Sequence, residues 1–294
     1  MDEKMYDIVF LGHYTKDKII REGKTMHVDG GAINYGAYLA ANSGLKTAVI
    51  TRLSEKDKHV VTELEEIGVD VYVNYSPQST ELVLKYPDDD IDQRVIYMSS
   101  SAGPFTVAEV KDINSKIFAI GSSVRGEVPL EVLKEIRKKG SLISLDIQGY
   151  IRVLENGILH NREWPDMEEY LKFVDILKTD MVEAESLTGE KNIKNALRVL
   201  EEYGPREVII TYCDGVFVYD GKKYYERYFY PQKMLSRSGR GDTVIAAYLI
   251  KRIEKLPEKA LIWAAAVASL KLEVVGPFKG SYQDIERLIK DKYE

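Results

Sequence analysis

Short apolar runs alternate with longer amphipathic stretches along the chain. Residues 6–11 (YDIVFL) read as a strand buried on both faces, stopped by Gly12, and residues 46–53 (KTAVITRL) read as another. Between them, residues 32–43 are small and apolar and predict a tightly packed helix. Residues 57–67 set Val60, Val61, Leu64 and Ile67 on one helical face, Gly68 closes the segment, and 69–74 returns to strand. The alternation continues with strands near 117–120, 142–146, 176–178 and 207–212, and helices over 130–139 and 192–203. Helices over 243–255, 258–272 and 283–290 fill the C-terminal part. Strands separated by helices demand right-handed crossovers. The pattern therefore predicts an α/β fold, a mostly parallel sheet with helices on both faces.

Two stretches break this rhythm. Residues 14–29 hold no long helix, and residues 71–98 hold two alternating runs, 81–86 and 94–98, around the acidic segment Pro87-Asp88-Asp89-Asp90, which reads as a hairpin tip. Insertions at about 14–29 and 71–100 thus predict a small β element beside the main sheet: an active-site lid, a dimer-forming flap or decoration. With 294 residues, the chain reads as one domain over 1–294 carrying that element.

Composition narrows the chemistry. A hydrophobic fraction of 45% excludes a disordered chain. One cysteine, Cys213, excludes an internal disulfide, and it reads as a small packing residue. That cysteine and four scattered histidines exclude a Cys-rich zinc site, so a metal here would be held by carboxylates or substrate phosphates. A net charge of −6 without a basic stripe excludes a nucleic-acid binder. The longest charge-free apolar stretch, 260–270, is far short of the ~18 residues a membrane span needs. A soluble, cytoplasmic protein is expected.

Three segments carry candidate chemistry. Ser238-Gly239-Arg240-Gly241-Asp242-Thr243 opens a helical run. Its glycines and the helix N-terminus make an anion hole; Asp242 there is either an N-cap or a general base. Gly30-Gly31-Ala32-Ile33-Asn34 precedes the small-residue helix and allows close ligand approach, or forms a tight turn. Asp180 and Glu183 share one face of a helix start, suited to water-coordinated Mg²⁺ or to complementing the helix dipole. No Walker loop and no G-x-G-x-x-G occurs, which disfavours a nicotinamide oxidoreductase.

In this order and spacing, the three segments resemble the signatures of the ribokinase/PfkB carbohydrate kinases. Gly30-Gly31-x-x-Asn34 is similar to that family's N-terminal motif, Asp180-x-x-Glu183 with Leu187-Thr188-Gly189 to its N-x-x-E region, and Gly239-Arg240-Gly241-Asp242 to its G-x-G-D signature. The resemblance implies a Rossmann-like core with a β lid, and ATP- and Mg²⁺-dependent transfer of a phosphoryl group to a hydroxyl of a small sugar or polyol. It implies Asp242 as catalytic base, and Gly239, Arg240 and Gly241 as the anion hole. Asp17, Gly31 and Asn34 would bind substrate, and Glu183 would organise Mg²⁺ through water. Asp180, Thr211, Asp214 and Gly215 would lie at the nucleotide, with Ala266 and Ser269 by the adenine.

The chain departs from the family pattern at Asp180, where Asn is usual, and at Arg240, where Ala is usual; the guanidinium meets a phosphate or points to solvent. Ser236 stands where cation-activated members carry an acid, which speaks against potassium activation. Asp146-Ile-Gln148-Gly149-Tyr-Ile-Arg152 and Ser101-Ala-Gly-Pro-Phe105 resemble the myo-inositol kinase branch, with Gln148 facing a polyol and Arg152 a phosphate. Other acceptors such as ribose, fructose, ketodeoxygluconate or a nucleoside stay open, as does a non-catalytic sensor on the same fold. The resemblance also implies a homodimer paired through the lid.

Overall fold

The computed structural model describes residues 4–86 and 94–294; the expected hairpin tip at 87–90 lies outside them. The strands are β1 (Met5–Leu11), β2 (Thr15–Arg21), β3 (Lys24–Gly30), β4 (Thr47–Leu53), β5 (Asp70–Tyr75), β6 (Thr80–Lys85), β7 (Val95–Ser100) and β8 (Asn114–Ile120). There follow β9 (Leu142–Asp146), β10 (Arg152–Glu155), β11 (Ile158–Asn161), β12 (Ile176–Asp180), β13 (Glu207–Thr211), β14 (Gly215–Tyr219) and β15 (Tyr224–Tyr228). Nine form one sheet in the order β15-β14-β13-β12-β9-β8-β1-β4-β5, parallel from β13 to β5 and antiparallel in the β13-β14-β15 extension.

Continuous apolar runs put the central strands between two helical layers. One layer, with the helices Ala32–Asn42, Arg240–Arg252 and Pro257–Leu272, packs Ile33, Leu39, Val244 and Leu261 against Ile8 and Phe10 of β1. The other, with Leu130–Lys138 and Ile193–Glu202, packs Leu133, Ile136 and Leu200 against Val9 and Leu11. Alternate residues of one strand thus feed two cores, as a parallel sheet covered on both faces requires. No helix among the described residues is long and apolar enough to cross a membrane.

A second sheet has the order β10-β11-β7-β6-β2-β3. It buries Ile19, Leu82, Leu84, Tyr86, Ile96 and Met98 on one face and exposes Val95 and Tyr97 on the other. Its makeup differs from the sequence expectation in two ways. The strand at 70–75 pairs with β4 as the edge of the large sheet, because its alternation suits the edge of either sheet. The hairpin β10–β11 joins unannounced, turning at Asn156-Gly157, both at positive φ. That Asn-Gly pair was the overlooked signal. Buried His13 ties the crossings between the sheets together: its ring nitrogens lie 2.8 Å from Thr80 Oγ1 and 2.8 Å from the Gly103 carbonyl.

Candidate functional site

The C-terminal ends of β1, β9, β12 and β13 converge beneath the second sheet, the rim where open α/β folds bind ligands. Two cavities meet there. The larger holds about 450 Å³ and the smaller about 60 Å³. Both are walled by Arg94, Ile96, Gln148, Arg152, Gly239 and Asp242.

Asp242 stands at this junction. Gly239 is the N-cap of the helix Arg240–Arg252, at φ 77°, and a Cβ there would lie 2.1 Å from the Tyr35 ring, so only glycine fits. The Arg240 N–H is spent on the Arg237 carbonyl, and those of Gly241 and Asp242 fall among the first-turn donors that a helix leaves without carbonyl partners. Asp242 is the third helical residue and makes no cap bond; its Oδ1 is buried without a partner. The N-cap reading of Asp242 is thereby removed. Burial raises its pKa, the Asp146 charge adds to this, and Lys178, Arg152 and Arg94 oppose it.

The smaller cavity adds Asp17, Gly31, Tyr35, Ser123, Leu82 and Leu84. Asp17 Oδ1 is also buried and unpartnered. Burial pushes its pKa up to about 7, against a hydrogen bond from Thr15. Two desolvated carboxylates and the Gln148 amide therefore face one polar compartment under an aliphatic wall from the second sheet.

The larger cavity is cationic. Arg94, Arg152, Lys178, Arg237 and Arg240 line it, against Asp180, Glu183 and Asp242. Lys178 is buried with its Nζ 2.8 Å from Asp146 Oδ2. Burial alone would lower its pKa, but Asp146, Glu183 and Asp242 together raise it. A Cβ at Gly241 would come 2.5 Å from Nζ, so the ammonium lies directly under the glycine turn. Asp180 and Glu183 form a capping box: Asp180 Oδ1 accepts the Glu183 N–H at 2.8 Å, and Glu183 Oε2 accepts the Asp180 N–H at 3.0 Å and the Thr179 hydroxyl at 3.2 Å. The helix-start reading of this pair is seen directly, and the cap also faces the cavity. Burial, with the Asp180 charge, raises Glu183 to about 7.

The structure thus gathers Asp17, Gly31, Gln148, Arg152, Asp180, Glu183, Thr211 and Gly239 through Asp242 around the two cavities. Five expected residues fall outside the lining. Asn34 donates its side-chain amide to the Asp29 carbonyl at 2.8 Å. Asp214 and Gly215 shape the β14 turn, whose Asp214 carbonyl accepts the Phe229 N–H. Ala266 and Ser269 are fully buried, with the Ser269 hydroxyl bonded to the Ala265 carbonyl, the Tyr230 N–H and the Tyr293 hydroxyl. Cys213 is exposed rather than packed, and its carbonyl accepts Arg240 Nη1 at 3.0 Å. The Arg240 guanidinium also lies 5.6 Å from the Phe229 ring centroid. Burial and the neighbouring Arg237 lower its pKa to about 10.

Arg94, Lys178 and the hairpin residues His160 and Asn161 were not anticipated. Lys178 had a signal: a charge inside a strand buried on both faces must be paired.

The profile of the pfkB family carbohydrate kinases matches residues 1–281. The chain is 26% identical over 253 residues to a cytidine kinase of Thermococcus kodakarensis, covering 83% of this chain and 88% of that one. A solved pyrophosphate-dependent kinase of the ribokinase family, in complex with sulfate, is 35% identical, with a TM-score of 0.88 over 95% of this chain and 99% of its own. Another, 34% identical with a TM-score of 0.87 over 98% of this chain and 100% of its own, is a pyrophosphate-dependent myo-inositol-1 kinase converted into a myo-inositol-3 kinase by replacing an asparagine and a serine with leucine. A family match spanning nearly the whole length, on a fold with the two-sheet architecture and the helix-start glycine turn already described, places this chain in the pfkB family of carbohydrate kinases.

Proposed function

We propose that this chain phosphorylates a hydroxyl of a small polyol, best read as myo-inositol, with inorganic pyrophosphate as donor. The observation carrying the reading is Asp242, an unpartnered buried carboxylate oxygen between a compartment of hydroxyl-binding groups and a cavity of cations. The acceptor docks against Asp17, Gly31 and Gln148. Its hydroxyl gives a proton to Asp242 as the oxygen attacks a donor phosphorus; the P–O–P bond breaks and orthophosphate leaves. The N–H groups of Gly241 and Asp242, with Lys178 and Arg152, meet the charge on the transferring group.

Two features support pyrophosphate over the ATP implied by the family resemblance. No Phe, Tyr or Trp lines the larger cavity to stack a base, and Arg240 closes the wall toward Cys213 and Phe229. The two solved relatives at 34–35% identity are pyrophosphate-dependent. The converted relative acts as a myo-inositol-3 kinase after gaining two leucines, and the smaller cavity here is walled by Leu82, Leu84 and Ile96, which supports transfer to the 3-hydroxyl. Among the described residues no cluster of three His, Cys, Asp or Glu could hold a metal. That donor set fits Mg²⁺ carried by donor phosphates and water, with Asp180 and Glu183 holding the water shell. When bound, Mg²⁺ neutralises phosphate charge. Exposed Val95 and Tyr97 on the lid's outer face support the proposed homodimer.

The test is product release with pyrophosphate or ATP against myo-inositol, ribose, fructose, ketodeoxygluconate and cytidine, with the phosphate position read by NMR. Fastest turnover with pyrophosphate and myo-inositol, giving the 3-phosphate, is expected. Faster turnover with ATP overturns the donor, and a better acceptor overturns myo-inositol. Absence of turnover with every pair favours a sensor.

A further inference from the structure

Lys271 ends the helix Pro257–Leu272 as a fully buried ammonium. Among the described residues no carboxylate forms an ion pair with it; the Asp242 charge acts on it only at longer range. A buried charge without an acid partner needs other groups to replace its water. Here Nζ donates to the carbonyls of Val274 at 3.3 Å and Ser236 at 3.5 Å, and lies 5.8 Å from the Tyr35 ring centroid. The Leu235 and Ser236 N–H groups donate to the Leu272 carbonyl at 2.8 and 3.3 Å. The same Tyr35 ring packs on Gly239. The segment leading into the anion-binding turn is therefore laid on this ammonium and on the helix end behind it.

We propose that the Lys271 ammonium is a built-in monovalent cation that holds the turn at Ser236–Gly239 in place. Main-chain carbonyls and an aromatic face are the ligands a desolvated potassium or ammonium ion takes, and here the ion is tethered to the chain. Ser236 offers its main-chain carbonyl to the lysine. Burial lowers Lys271 to about 8, and the Asp242 charge opposes that shift, so the cationic form is held near neutrality. Lys271 is a positioning residue, acting on the donor through the turn. The inference rests on the phosphotransfer reading of that turn.

The experiment compares wild type, Lys271→Met and an exposed control, Lys259→Met, in buffers whose sole cation is tetramethylammonium, then with added potassium or ammonium. Turnover is read alongside the rise in melting temperature that pyrophosphate produces, which needs no acceptor. Wild type and control should change by less than about twofold between cations. Lys271→Met should lose about tenfold or more in turnover and lose its pyrophosphate-induced shift, and ammonium or potassium should restore both. Activation of wild type by potassium overturns the proposal, as does a folded Lys271→Met with unchanged activity or with a loss that no ion rescues. Should the variant not fold, the wild-type cation titration decides alone. A wild type that neither binds pyrophosphate nor turns over sinks the phosphotransfer reading first, and this inference with it.

Discussion

On one side of Asp242, the side proposed for the acceptor, a compartment of about 60 Å³ sets orphan oxygens of Asp17 and Asp242 under an aliphatic wall, whereas on the other side about 450 Å³ is lined by five Arg and Lys side chains. The difference shows how one carboxylate comes under opposing influences. Burial and Asp146 push Asp242 up, while Lys178, Arg152 and Arg94 pull it back. A base needs both influences: too little desolvation leaves it weakly basic, too little compensation leaves it protonated. Asp17 is desolvated as well, opposed by a hydrogen bond from Thr15 and by the Arg94 and Arg152 charges, which suits the proposed hydroxyl-binding group that need not turn over a proton.

The hardest test of this division is Asp242→Asn, which should lower kcat by roughly 10²–10⁴ with acceptor binding largely kept. A variant turning over near wild type would place the base elsewhere. Next, Lys178→Met combined with Asp146→Asn removes the cation without stranding its buried partner. We expect kcat to fall about 10–10²-fold. The acid limb of the pH profile should move to lower pH, because both charges are removed and the Asp146 charge that raises Asp242 outweighs the Lys178 charge that lowers it. An unmoved limb with an unchanged kcat would show that Lys178 serves the fold alone. Arg240→Ala is smaller: the KM for pyrophosphate should rise about tenfold and the ratio of ATP to pyrophosphate turnover should increase. An unchanged ratio would clear Arg240 of donor selection.

The division was only half legible in the sequence. The central strands and their covering helices follow from apolar runs such as 6–11 and 207–212, because burial on both faces leaves little else a parallel strand can be. The glycine turn, Asp17, Gln148 and Arg152 were found by motif and by position at a strand end. The cationic wall was not. Arg94 and the hairpin residues His160 and Asn161 come from the second sheet, and only tertiary pairing such as Ile158 with Tyr97 brings them over the site. Ala266 and Ser269 sit on a helix whose small residues read equally well as ligand contacts or as close packing; Tyr230 and Tyr293 decide for packing here.

The gentlest test reads stability rather than rate. Burial raises Asp17 from 3.8 to about 7 in the folded chain. Between those values the unfolded chain has lost a proton that the folded chain keeps, so stability falls as pH rises through this window and the full penalty stands above about 7. An amide carries no such penalty. Asp17→Asn should therefore weaken acceptor binding yet raise stability near neutrality, by on the order of 4 kcal/mol at most. The gain should vanish below pH ~3, where both states hold the proton. Denaturant midpoints of the two proteins at the two pH values measure it. Equal destabilisation of Asp17→Asn at both would show that the carboxylate is held by partners it keeps in the folded state, and desolvation would not be what sets this side of Asp242 apart from the cationic one.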